Sequence, residues 1–255
     1  MKSFFMALSF LTIMPWWSGT RGTEKDMSHT LYYYPVVGLL LGGVLAGVYF
    51  WADFLALGTA GAALIVVLWL ILTGGLHADG LMDASDSFFS GKDRESKLEI
   101  MRDSRVGAMG VMALAAMLIL KVSFLDILAA REAVAILILA PALGRLAMVW
   151  AVTRYRYARS EPGLGDCFGA NRPMLPFYTG VFILIIVVVF LYILTGVLHV
   201  FSVLIVLLIA LGVAAMIARN LEGHTGDTYG FLGETTETLL LIAVAIETGI
   251  SGTLL

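Results

Sequence analysis

Seven stretches of about twenty mostly apolar residues recur along the chain, near 31–52, 59–76, 106–126, 133–153, 175–195, 199–218 and 235–255, with polar segments between them. At about 1.5 Å rise per residue, each is long enough as a helix to cross a hydrocarbon core of about 30 Å. The pattern predicts an all-α, polytopic membrane helix bundle of about seven transmembrane helices, a single integral membrane domain over 1–255. Residues 175–218 are apolar for twice the needed length, so a tight hairpin is expected near Thr195, Gly196 and His199. Residues 3–17 form a shorter apolar run ending Pro15-Trp16-Trp17, with only Lys2 ahead of it and no small-residue cleavage site. It reads as an interfacial or re-entrant helix rather than a removed signal peptide.

Composition agrees with this class: 60% of residues are hydrophobic and 14% charged, against roughly 25% charged in soluble domains. The net charge of -3 offers no basic excess for nucleic acid. The single cysteine, Cys167, has no internal disulfide partner and reads as a small loop residue. The placing of charge says more than its total. Twelve of the sixteen Lys and Arg residues fall in loops 18–30, 79–105, 154–174 and 219–234. With seven spans these loops alternate onto one side, which the positive-inside rule makes cytoplasmic.

Three polar clusters lie in those loops. In a helix over 77–88, Asp79, Asp83 and Asp86 stand at i, i+4 and i+7 and share one narrow face, while His77 points elsewhere. Carboxylates are expensive near a membrane, and a stripe of them supplies the hard oxygen ligands that Mg²⁺ prefers. Gly80 beside them admits a backbone or a phosphate. A solvated acidic loop neutralised by Lys92, Arg94 and Arg105 is the plainer alternative. The second cluster, Arg102-Asp103-Ser104-Arg105, brackets a carboxylate with two guanidinium groups suited to phosphate, or to anchoring a membrane end. In the third, Gly223 to Gly230, glycines around Thr225, Gly226 and Asp227 suit either an anion-facing loop or an ordinary turn. Arg145 lies about two turns inside its span, where an internal partner or an anionic substrate is expected, and Glu247 is one candidate partner. A metal cup flanked by arginines points to phosphoryl transfer from a diphosphate.

The chain resembles the cobalamin synthases, the adenosylcobinamide-GDP ribazoletransferases. The resemblance is carried by Leu72-Thr73-Gly74-Gly75-Leu76-His77-Ala78-Asp79-Gly80-Leu81 with Asp83 and Asp86, then Arg94 and Met101 to Gly107 with Gly110. Weaker matches are Phe10-Leu11-Thr12 with Pro15, Tyr34 to Gly38, Arg145, Gly163-Leu164-Gly165, and Thr225-Gly226-Asp227 with Gly230 and Glu237. They run in order over nearly the whole chain. Arg102 stands where a Lys is common, which leaves the charge unchanged. The resemblance implies that the ribose 3′-hydroxyl of α-ribazole, or of its 5′-phosphate, attacks the cobinamide-side phosphate of adenosylcobinamide-GDP and releases GMP. It implies Mg²⁺ as cofactor, corrinoid-GDP and α-ribazole as substrates, and a prokaryotic inner membrane with the site on cytoplasmic loops 77–107, 154–174 and 219–237. A homo-oligomer or contacts with other cobalamin-assembly enzymes would be compatible with such a role. On this expectation Asp79, Asp83, Asp86 and Glu237 hold metal, and Asp103, Asp227 and Arg105 are catalytic. Arg102, Arg145, Arg94, Gly80, Thr225, Gly226 and His77 then contact substrate or phosphate. Two rivals remain at this point. The CDP-alcohol phosphotransferase pattern fails after Asp79-Gly80, because Asp83 replaces its Ala and the second acidic pair is missing. A transporter would place its charges at midmembrane rather than at one face.

Overall fold

The computed structural model describes residues 1–15, 23–159, 173–196 and 199–253, and among them it is helical, with no strand beyond an isolated bridge between Tyr157 and His224. The helices are α1 (Lys2–Leu11), α2 (Glu24–Thr30), α3 (Tyr34–Phe54), α4 (Thr59–Leu72), α5 (Leu76–Phe88), α6 (Arg94–Ile100), α7 (Ala108–Asp126), α8 (Ala130–Arg154), α9 (Leu175–Thr195), α10 (Val200–Leu221) and α11 (Gly226–Thr253). Six of them, α3, α7, α8, α9, α10 and α11, are long and apolar enough to cross a membrane. With so many apolar side chains facing outward, among them Phe182, Ile185, Phe190, Ile193, Phe201, Leu204 and Leu208, the chain is a multi-pass membrane protein. Lipid, not water, suits such a surface.

The expected second span is broken. The chain turns 89° between α4 and α5 at Thr73-Gly74-Gly75. Gly74 and Gly75 hold φ of +62° and +70°, a region where a side chain is strained. We read α4 as the seventh, short crossing and α5 as lying across the end of the bundle, outside the spanning segments, because α5 carries three Asp residues on thirteen positions. The helix α1, ten residues long, is too short to cross, and Ile13 N–H donates to Leu72 O at 2.9 Å, tying its end to α4. Residues 16, 17, 163–165, 167 and 172 lie outside the described residues, so the Trp pair, the Gly163-Leu164-Gly165 match and Cys167 have no structural account.

Helix α8 is central: nearly every residue from Ala133 to Val152 is buried. Small residues make this possible. Gly38 of α3 packs so closely on α8 that a Cβ there would lie 2.6 Å from the Cα of Ala142, the backbone approach that replaces hydrophobic driving force inside a membrane. The last span begins earlier than expected, at Gly226 rather than 235, because Thr225 caps it: the Thr228 N–H donates to Thr225 Oγ1 at 3.3 Å.

Candidate functional site

Helices α5 and α11 touch backbone to backbone at one end of the bundle, and two glycines allow it. A Cβ on Gly80 would sit 2.6 Å from Asp227 O, and one on Gly230 would sit 2.9 Å from His77 O. Gly80 therefore admits the neighbouring helix, which fills the space expected for a phosphate. The contact sets Asp79 and Asp83 of α5 beside Asp227 of α11. Arg159, after α8, completes the group by donating to Asp227 Oδ2 at 2.8 Å, while Thr225 Oγ1 donates to the same oxygen at 3.2 Å. Clusters separated by more than a hundred residues thus converge at one end of the molecule. Arg159, counted in the sequence only as loop charge, is a member that the pattern of residues did not single out.

The electrostatics follow from crowding. Asp79 is exposed, whereas Asp83 and Asp227 are half-buried. Burial first, then the charges of Asp79, Asp227 and Asp86, push the Asp83 carboxyl up to about 7, with Arg159 opposing. The site therefore holds more negative charge than its arginine compensates.

Several assignments change. Asp86 does not turn outward with the stripe: its two oxygens accept from Gly107 N–H at 2.7 Å and Gly110 N–H at 2.8 Å. It caps α7 from another helix, at the end where the helix dipole favours an anion. Asp103 is held by Arg105 in a two-pronged pair, with Nη2 donating to Oδ2 at 2.6 Å and Nε to Oδ1 at 3.0 Å. That hydrogen-bonded guanidinium holds the Asp103 carboxyl at about 2, which makes it a weak base. Arg94 is spent on structure, donating to Leu221 O at 2.9 Å and Ala158 O at 2.7 Å. Thr225 serves as a helix cap, and Gly226 is exposed at the start of α11. Arg102 and Arg105 are exposed.

Arg145 and Glu237 leave the expected phosphate and metal sets altogether. Both are almost fully buried and pair with each other through Arg145 Nη1 and Glu237 Oε1. Lys121 of α7 donates to Glu237 Oε2 at 2.8 Å and to Glu234 Oε2 at 2.6 Å, and its ammonium lies 4.1 Å from the centre of the Trp69 ring. Two cations and two carboxylates balance, as burial in a low-dielectric interior requires. The partner expected for Arg145, Glu247, instead meets Ser202 and His199 elsewhere. Lys121 was the missed member, and a lone lysine inside an apolar span was the signal for it.

Among the described residues no three His, Cys, Asp or Glu side chains form a ready ligand cluster, so Asp79, Asp83, Asp86 and Glu237 do not make one metal centre. The remaining donors still fit Mg²⁺. That ion demands few protein carboxylates, completing its octahedron with water and phosphate oxygens, and Asp79, Asp83 and Asp227 are hard donors that repel one another without a cation.

Beside these carboxylates a cavity of about 100 Å³ opens, walled by Phe10, Tyr34, Met148 and Tyr229, with His77 and Asp79 on its α5 side.

Residues 3–245 match the family described as CobS, cobalamin-5-phosphate synthase. The chain is 43% identical over 247 residues to the adenosylcobinamide-GDP ribazoletransferase of Desulforamulus reducens, covering 96% of each chain. It is 39% identical to the enzyme of that name from Roseiflexus sp., covering 94% of this chain and 88% of that one. Identity is again 39% to the one from Thermosynechococcus vestitus, with 94% of each chain covered. No solved structure matches.

Proposed function

Because the chain belongs to the cobalamin-5-phosphate synthase family, we propose that it is an adenosylcobinamide-GDP ribazoletransferase, the activity named for its relatives. The observation that carries the reading beyond kinship is the convergence of Asp79, Asp83, Asp227 and Arg159 at one end of the bundle. Acidic oxygen donors beside a guanidinium suit transfer between phosphate esters.

In this reading the 3′-oxygen of α-ribazole, or of its 5′-phosphate, forms a bond to the cobinamide-side phosphorus of adenosylcobinamide-GDP. The bond from that phosphorus to the bridging oxygen breaks, and GMP leaves with the electron pair. Asp227 accepts a hydrogen bond from the attacking hydroxyl and takes its proton, held in place by Arg159 and Thr225. Arg102 and Arg105, exposed ahead of α7, face the anionic substrate as it arrives. Asp79 and Asp83 would hold Mg²⁺, which when bound neutralises phosphate charge and activates phosphorus as a Lewis acid. Asp86 acts indirectly by fixing the start of α7 against α5. The inner membrane of a prokaryote is the proposed location, with this end cytoplasmic.

The test is incubation of the purified protein in detergent with adenosylcobinamide-GDP and α-ribazole, with and without Mg²⁺. Stoichiometric GMP and a corrinoid nucleotide product are expected only with the metal. Absence of corrinoid product under every condition overturns the reading.

A further inference from the structure

Helix α5 leaves α4 through Gly74 and Gly75, whose φ values are +62° and +70°. Glycine is the residue least able to fix a direction by its own sterics, so the bearing of α5 depends on contacts made by the helix itself. In its last turn that contact is Asp86, which accepts from the amides of Gly107 and Gly110 ahead of and within α7. Asp79 and Asp83, two carboxylates of the candidate site, lie between Asp86 and the glycine joint. A helix held only at its far end would still pivot there.

His77 supplies the second hold. It lies in the first turn of α5, is 2% exposed, and places its Nδ1 3.3 Å from Arg145 Nη2 of α8. A guanidinium can only donate, so Nδ1 is the acceptor. The other terminal nitrogen of Arg145, Nη1, pairs with Glu237 of α11. Gly144 leaves the room for this, since a Cβ there would lie 3.0 Å from Glu237 Cγ. Lys121 of α7 then holds Glu237 from its other oxygen at 2.8 Å. One guanidinium thus ties α5 to α8 and α11 at once, which a planar fork with donors on separate nitrogens can do and a compact ammonium cannot.

Charge balance alone does not call for that arrangement. Arg145 and Lys121 offset Glu234 and Glu237 whether or not either cation touches α5. The bond to His77 ends on a neutral imidazole nitrogen, so what it adds is direction. We propose that Arg145 is a positioning residue: through His77 it holds the first turn of α5, as Asp86 holds the last, and so keeps Asp79 and Asp83 set against Asp227. Its consequence for turnover rests on the ribazoletransferase reading given above. The buried charge network, in this view, orients the site without touching substrate.

Two variants separate orientation from charge balance. Arg145→Lys keeps a cation for Glu237 but lacks the fork. Arg145→Met with Glu237→Gln removes one charge of each sign and leaves Lys121 paired with Glu234. In each, for purified protein in detergent, amide hydrogen exchange at 79–82 is expected to rise about tenfold, the scale of one lost hydrogen bond, while exchange at 107–111 stays within about twofold of wild type. The kcat with α-ribazole should fall at least about tenfold, with the KM for both substrates within about twofold, because a displaced group costs rate more than binding. His77→Phe leaves all four charges in place and tests the same tie from its other end, with the same local exchange and the same fall in kcat expected. Wild-type exchange at 79–82 in any folded variant of the three overturns the proposal. Full kcat in the double variant also overturns it, because the network would then serve charge balance alone. Failure of the wild type to form any corrinoid product brings down the transferase reading instead, and the exchange measurements still decide whether Arg145 holds α5.

Discussion

The proton on Asp83 is what a divalent cation would have to displace, and its value of about 7 arises from burial and from the neighbouring carboxylates. The sign is that of a raised acid. Below pH 7 the group is neutral and a cation must expel a proton to bind; above pH 7 it is already charged. The Mg²⁺ concentration for half-maximal transfer is therefore expected to be steady above about pH 7 and to climb about tenfold per unit below it. A requirement that does not vary between pH 6 and 8 removes Asp83 as a ligand. Asp83→Asn should lower transfer by at least about a hundredfold while membrane insertion, read by membrane fractionation, is unchanged. Lys121 carries a different kind of prediction. Lys121→Met leaves Glu234 and Glu237 facing each other with Arg145 alone, and breaking such a buried pair costs about 3–5 kcal/mol. Thermal unfolding in detergent should show that loss, and Lys121→Met with Glu234→Gln should recover much of it. Equal recovery by a change outside the network would assign the loss to packing. The three aspartates illustrate how far spacing reads at this level. It places Asp79, Asp83 and Asp86 on one helix, but not that Asp86 is taken by the amides of Gly107 and Gly110, because no local pattern encodes a cap supplied by another helix.

The contact of α5 with α11 depends on close backbone approach and that of α5 with α7 on a cap, and each has its own test. Gly80→Val should separate α5 from α11 and lower transfer at least tenfold, since a Cβ already overlaps Asp227 O. A fully active Gly80→Val protein would show that the contact does not position the site. Asp86→Asn replaces a charged acceptor by a weaker one, with about 1 kcal/mol of cap strength lost. Faster amide hydrogen exchange at 107–111, with exchange in α9 unchanged, is the expected readout. Most helices were legible from apolar length alone. The exceptions share a cause: the 89° turn between α4 and α5 and the early start of α11 depend on Gly74, Gly75 and the Thr225 cap, single residues that an apolar window of twenty averages away.

Across the molecule the candidate site residues gather at one end, and the opposite end holds its own acidic residues in the last turns of α3 and α7, Asp53 and Asp126. In a Cys167→Ser background, a cysteine introduced at Ser104 should react with a membrane-impermeant maleimide only after cells are opened, and one at Leu57 should react in intact cells. The reverse pattern would invert the proposed orientation. Class, approximate span count and the family all follow from the chain read alone. Each rests on a run of residues or on a repeated spacing, and the membrane enforces these by denying hydrogen bonds to any backbone that is not helical. Which charges face substrate and which neutralise one another inside could not be read that way. Arg145, Glu237 and Lys121 look like functional outliers in sequence, yet they close on each other across three helices, while Arg159, an ordinary loop arginine, is the one that reaches Asp227. A charge is assigned by the nearest opposite charge in three dimensions, and that distance exists only after the helices have packed.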